Sequence, residues 1–121
     1  MKCLALGLTA ATTTVAAILG TATYPPAARA DAVAYLVNVT VRPGYNFANA
    51  EQALTYGRGV CDKIAAGRGY GQIIADVKAD FATSDEYQAS YLITQSANEL
   101  CPALIWQLRN SAANYRAPAP P

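Results

Sequence analysis

Beyond residue 30, apolar residues recur at three- and four-residue intervals through most of the chain, and each run predicts a helix. The strongest run is Ala50, Ala53, Leu54, Gly57, Val60, Cys61 and Ile64, a single stripe that starts at Asn49-Ala50-Glu51-Gln52. Asn49 is a capping residue type, and Gln52 stands three positions on, as in a capping box. Gly67 ends this helix. Gly57 lies on the buried stripe and costs about 1 kcal/mol of helix propensity relative to alanine, so it marks a place where another helix passes close.

A second stripe, Tyr70, Ile73, Ile74, Val77 and Phe81, predicts a helix over 70–81, with Gln72, Asp76, Lys78 and Asp80 at its other positions. Ser84 is then placed to cap a further helix, with Asp85 and Glu86 in its first turn. That helix carries Ala89, Ile93, Ala97, Leu100, Cys101, Leu104 and Leu108, and Pro102 inside the pattern predicts a kink or a split at Cys101. Upstream, Val33, Leu36, Val37 and Thr40 fall at helical spacing behind Asp31, while Val37-Asn38-Val39-Thr40-Val41 also reads as a short strand. Helix over 31–39 is the expectation, because no second strand-like run exists to pair with it. Arg42-Pro43-Gly44 turns the chain. The pattern predicts an all-α fold: one domain over 31–112, a small bundle of about four helices, followed by a disordered Pro/Ala-rich tail over 113–121.

Residues 1–30 have a different character. Met1-Lys2 is followed by an uncharged apolar or small stretch from Leu4 to Leu19, then Tyr24-Pro25-Pro26, then Ala28-Arg29-Ala30 before Asp31. This is the layout of a secretory signal peptide cleaved after Ala30. A retained anchor is the alternative, disfavoured by Thr9, Thr12, Thr13, Thr14 and Thr21 and by the early prolines. The expected product is secreted or held at the cell envelope, with no transmembrane span after cleavage.

Cleavage changes both charge and cysteine content. The whole chain has nine basic and eight acidic residues; without Lys2 and Arg29 the balance turns slightly negative, which argues against a nucleic-acid or polybasic membrane partner. Cys3 leaves with the signal, so Cys61 and Cys101 remain as an even pair with only one connectivity in an oxidising compartment. Such a bridge closes a loop of about forty residues, for which chain entropy gives roughly 4 kcal/mol. Metal ligation by the two thiolates is the other option, but it lacks further soft ligands.

The chain contains no histidine. Ser-His and Cys-His catalysis, most transition-metal sites and the usual haem ligand are thereby removed, and no catalytic, cofactor or metal residue is expected. Asp62 beside Cys61 and Glu99 two residues before Cys101 are the one carboxylate pair a bridge would bring near each other, the basis for a small hydrolase as an alternative function. Asp76, Asp80, Asp85 and Glu86 lack the spacing of a calcium loop and read as a solvated face. Gly67-Arg68-Gly69-Tyr70-Gly71 misses the spacing of a phosphate-binding loop and reads as a turn; its likeness to Gly57-Arg58-Gly59 reads as coincidence. Tyrosine is the unusual resource, eight copies against two phenylalanines and one tryptophan. Tyr70 is expected in the core. Tyr35, Tyr45, Tyr56, Tyr87, Tyr91 and Trp106 are expected at the rim, and a possible interaction surface is assigned to Tyr35, Tyr56, Tyr87, Tyr91 and Trp106.

Gly57-x-x-x-Cys61-x-x-Ile64-x-x-Gly67 followed by Cys101-Pro102, with the Asp31 to Leu36 opening, resembles the mycobacterial domain of unknown function 732 over roughly residues 31–108. Leu100 departs from that pattern, which often has tyrosine before the Cys-Pro pair. The resemblance implies a small helical secreted or envelope protein with a Cys61–Cys101 bridge, and no particular activity. The functional expectation is a non-enzymatic binding or interaction module whose partner is an unknown envelope component or protein. A structural, antigen-like protein without a ligand is the further alternative.

Overall fold

The computed structural model describes residues 31–119 and the isolated Gly20. The expected signal peptide, Gly20 apart, and the last two residues of the expected tail lie outside the described residues.

Helix α1 (Ala32–Thr40) starts where the Asp31 carboxylate accepts a hydrogen bond from the Ala34 amide at 2.8 Å. It takes in most of the segment that also reads as a strand, and no strand occurs among the described residues. Its buried face differs from the expected one. Tyr35 and Val39 are enclosed, whereas Val33 is 72% exposed and Val37 also faces outward. This helix is apolar on nearly every side, so periodicity alone does not select a face. Tyr35 can be buried because its hydroxyl donates to the Ala53 carbonyl at 2.9 Å, leaving no unpaired polar group inside.

Helix α2 (Ala50–Ala65) begins as expected. Asn49 Oδ1 accepts from the Gln52 amide at 2.8 Å, and Gln52 reaches back to the Ala48 amide at 2.6 Å. Ala53, Gly57, Val60, Cys61 and Ile64 are buried, while Ala50 at the start of the predicted stripe is exposed. A Cβ on Gly57 would stand 2.6 Å from both Leu100 Cδ1 and Tyr35 Cζ, so the glycine does mark a close approach. Gly67 turns the chain at φ +84°.

Helix α3 (Tyr70–Asp80) buries Ile73, Ile74 and Val77, with Tyr70 and Phe81 packed half-buried at its ends. Helix α4 (Glu86–Gln95) is capped by Asp85, one residue later than the expected Ser84; the carboxylate accepts from the Tyr87 and Gln88 amides at 2.9 and 3.2 Å. Its last turn widens into a π-helical turn, Ser96–Leu100, which ends at Cys101. Pro102 has no amide hydrogen to continue the ladder, so the chain restarts as a 3-10 turn, Pro102–Leu104, and helix α5, Ile105–Ala112. The predicted fourth segment is therefore split, and the described residues form an all-helical bundle of five α-helices.

The Cys61–Cys101 disulfide, with Cα atoms 6.0 Å apart, ties the middle of α2 to the end of the π-helical turn. Tyr35, Ile64, Ile73, Ile74, Leu92 and Ile93 are the largest fully buried side chains of the core. The packed unit continues past residue 112. Tyr115, expected in the disordered tail, meets Tyr70 edge-on at 5.1 Å between ring centroids, and its hydroxyl donates to Glu86. No helix among the described residues is long and apolar enough to cross a membrane.

Candidate functional site: an aromatic-walled groove along helix α2

One face of α2 is not covered by the bundle. Gln52, Thr55, Tyr56, Gly59, Val60 and Lys63 follow each other at three- and four-residue spacing along it and line a groove of about 520 Å³. At 1.5 Å rise per residue this floor is about 16 Å long. One wall is the 45–47 segment, and the other is the end of α3, Asp80 and Phe81.

Local chemistry holds the 45–47 wall in place. Gly44 takes φ +109° and Asn46 φ 50°, both left-handed, the second on a residue type that tolerates it. Tyr45 is buried, and its hydroxyl donates to the Gln88 carbonyl at 2.6 Å, anchoring the loop on α4. Burial pushes the Tyr45 phenol up to about 12 against the opposing charge of Arg42, so it stays a neutral donor. Phe47 then meets Phe81 edge-on at 5.7 Å and Tyr56 at 5.8 Å, and Tyr56 meets Phe81 edge-on at 5.0 Å. Three half-buried rings thus present faces and edges to the groove.

The α2–α3 rim is polar. The Tyr56 hydroxyl donates to Asp80 Oδ2 at 2.7 Å, and Lys63 Nζ donates to Asp76 Oδ2 at 3.0 Å. Arg68 grips Asp76 with both prongs, Nε to Oδ2 at 2.6 Å and a terminal nitrogen to Oδ1 at 2.7 Å. Hydrogen bonding from Arg68 holds the Asp76 carboxyl down at about 2. Burial, helped by the Asp80 hydrogen bond, raises the Tyr56 phenol well above its ordinary value.

Gly59 lies in the floor. A Cβ there would meet nothing within 4 Å, whereas one on Gly57 would strike Tyr35 and Leu100. Gly57 is thus accounted for by packing. Gly59 is not: it keeps the helix-weakening residue at a position where the fold has ample room for a side chain.

The expected interaction residues do not form one surface. Tyr35 is fully buried, its phenol pushed to about 12 by burial with Ser96 opposing, and it belongs to the core. Tyr45, also expected at the rim, is buried. Tyr56 is in the groove. Tyr87 and Tyr91 pair on α4 at 6.2 Å, with the Arg42 guanidinium 4.6 and 4.4 Å from their ring centroids, and the Tyr91 hydroxyl donates to the Asn38 carbonyl. Trp106, 73% exposed, stands on α5 and lines no part of the groove. Asp62 is exposed on α2 and Glu99 is half-buried on the π-helical turn; neither lines the groove.

The acidic residues read as a solvated face are all at the surface, Asp80 and Asp85 exposed and Asp76 and Glu86 half-buried, and each also has a partner. Asp80 accepts from Tyr56 in the groove, Asp76 holds Lys63 and Arg68, Asp85 caps α4, and Glu86 sits between Lys78 and Tyr115. Burial pushes the Glu86 carboxyl up, but Lys78 and Tyr115 more than offset this and its net shift is downward. Among the described residues, no group of three His, Cys, Asp or Glu side chains could hold a metal ion. Of the groove residues only Tyr56 was among the expected interaction residues; Phe47, Phe81, Gly59 and Lys63 were not. Gly59 carried a legible signal, a glycine inside a strong helix; the two phenylalanines carried none beyond being apolar.

The family model described as "Protein of unknown function (DUF732)" matches residues 27–103. The match covers more than half of the chain, and the chain belongs to this family. No curated protein and no solved structure matches it.

Proposed function

For a member of a family whose description carries no activity, we propose a non-enzymatic binding module, exported to the envelope or the medium, whose ligand occupies the groove along α2. The observation that carries this reading is Gly59: a glycine in mid-helix, with open space where its side chain would be, in a groove that three half-buried rings also line. A ligand lying on the bare helix backbone accounts for both the glycine and the uncovered rings. Asp62 and Glu99 lie outside this groove, so the hydrolase alternative draws no support from it. The signal-peptide pattern supports export, and a mature N-terminus at Asp31 is the expected product.

Native mass spectrometry on protein recovered from its own host tests the reading. The wild-type chain should carry a bound small molecule, and Gly59→Leu, which fills the groove floor, should lose it. Bare wild-type monomer across independent preparations would overturn the proposal.

A further inference from the structure

The groove also carries information about the class of its ligand, and this step rests on the groove being a ligand site. We propose that it takes a neutral saccharide, a short run of sugar rings laid along α2. Three features converge on that chemistry. The first is the ring wall: Phe47, Tyr56 and Phe81 are each only half-buried, and they offer apolar surface of the kind that the C–H face of a pyranose covers.

The second is the charge of the rim. The groove's lining carries one side chain of each sign, Lys63 and Asp80, while Arg68 and Asp76 pair with each other, so an anionic head group would meet the Asp80 carboxylate and a cation would meet the Lys63 ammonium. A hydroxyl suits both signs. Asp80 uses one of its oxygens on Tyr56 and has acceptor capacity left for a donating O–H. Lys63 donates once to Asp76, whose carboxylate Arg68 already holds with two prongs, so two N–H groups remain for an accepting oxygen.

The third is the floor. With no side chain at Gly59, a flat ring can rest against the helix backbone itself. The groove volume of about 520 Å³ lies within the range of small-molecule sites, about 300–1,000 Å³.

The test is a ¹⁵N–¹H NMR titration of the disulfide-bonded full chain with cellotriose, maltotriose and chitotriose, and separately with decanoate as an anionic amphiphile. At least one trisaccharide should shift the Gly59 and Tyr56 amides saturably. Its affinity should stay within about twofold between low and high salt, because no net charge is being neutralised. Gly59→Leu should weaken that binding by about tenfold or more while leaving the chain at least as stable as wild type. If decanoate shifts these amides and no trisaccharide does, the groove remains a ligand site and the saccharide assignment is wrong. If neither class of probe moves them, the groove reading falls as well. A steep loss of trisaccharide affinity with salt would overturn the neutral-rim argument.

Discussion

Two glycines two residues apart on the same helix should respond in opposite directions to the same substitution. Alanine at either position gains helix propensity, about 1 kcal/mol relative to glycine. At Gly59 nothing opposes that gain, since the new methyl meets no atom within 4 Å. At Gly57 the methyl would be 2.6 Å from Tyr35 Cζ, 2.7 Å from its hydroxyl oxygen and 2.6 Å from Leu100 Cδ1. Leu100, half-buried at the end of the π-helical turn, has some room to move. The Tyr35 ring has none: it is fully buried and its hydroxyl is bound to the Ala53 carbonyl. Forcing a methylene into a filled core costs about 1–3 kcal/mol, so Gly57→Ala should lose up to about 2 kcal/mol net and Gly59→Ala should gain up to about 1. For a domain of this size each kcal/mol moves the melting temperature by about 4–8 °C. Thermal and urea unfolding with the disulfide intact would read both shifts. Two shifts of the same sign, or a stabilised Gly57→Ala, would refute the account of why each glycine is there.

The bridge and the rim carry further expectations. Replacing both Cys61 and Cys101 by alanine should lower stability by about 4 kcal/mol, from the chain-entropy cost of a loop spanning forty residues, read by urea unfolding; a change below about 1 kcal/mol would show that packing alone holds α2 and the π-helical turn together. The Asp76 carboxyl is depressed from its ordinary 3.8 to about 2 in the folded chain, chiefly by Arg68, so its stabilising contribution is complete above about pH 4 and lost as pH falls through 2. Wild type should therefore lose more melting temperature than Asp76→Asn between pH 5 and pH 2, and high salt should narrow the difference, because the pair is partly exposed. Parallel pH profiles for the two would refute the role given to Arg68.

Tyr56 and Tyr35 show how far residue type reaches. Both are tyrosines next to apolar stripes, and both were candidates for a surface. One lines the groove and the other is sealed beneath Gly57, because α1 happens to turn its Tyr35–Val39 face inward and the Ala53 carbonyl is there to receive the phenol. Nothing local distinguishes the two outcomes. The same holds for Asp76 and Asp80, which look like ordinary solvated charges until α2 brings Lys63 and Tyr56 alongside.

The elements are legible in residue order alone. The helical period marked out α2 and α3 nearly to the residue, Asn49 announced a start, Gly67 a stop, and Pro102 a break, because caps, turns and missing amide hydrogens act within a few residues of where they stand. Cys61 and Cys101 are the bonded pair, and the family match spans both. Only the packed bundle settles which face of α1 is buried, that Tyr115 is held against Tyr70 and Glu86, and that Phe47, Tyr56 and Phe81 meet ring against ring in the groove that Gly59 also lines. Those outcomes depend on contacts between segments far apart in the chain, set by how several helices share one core, and periodicity within a single helix contains no record of them.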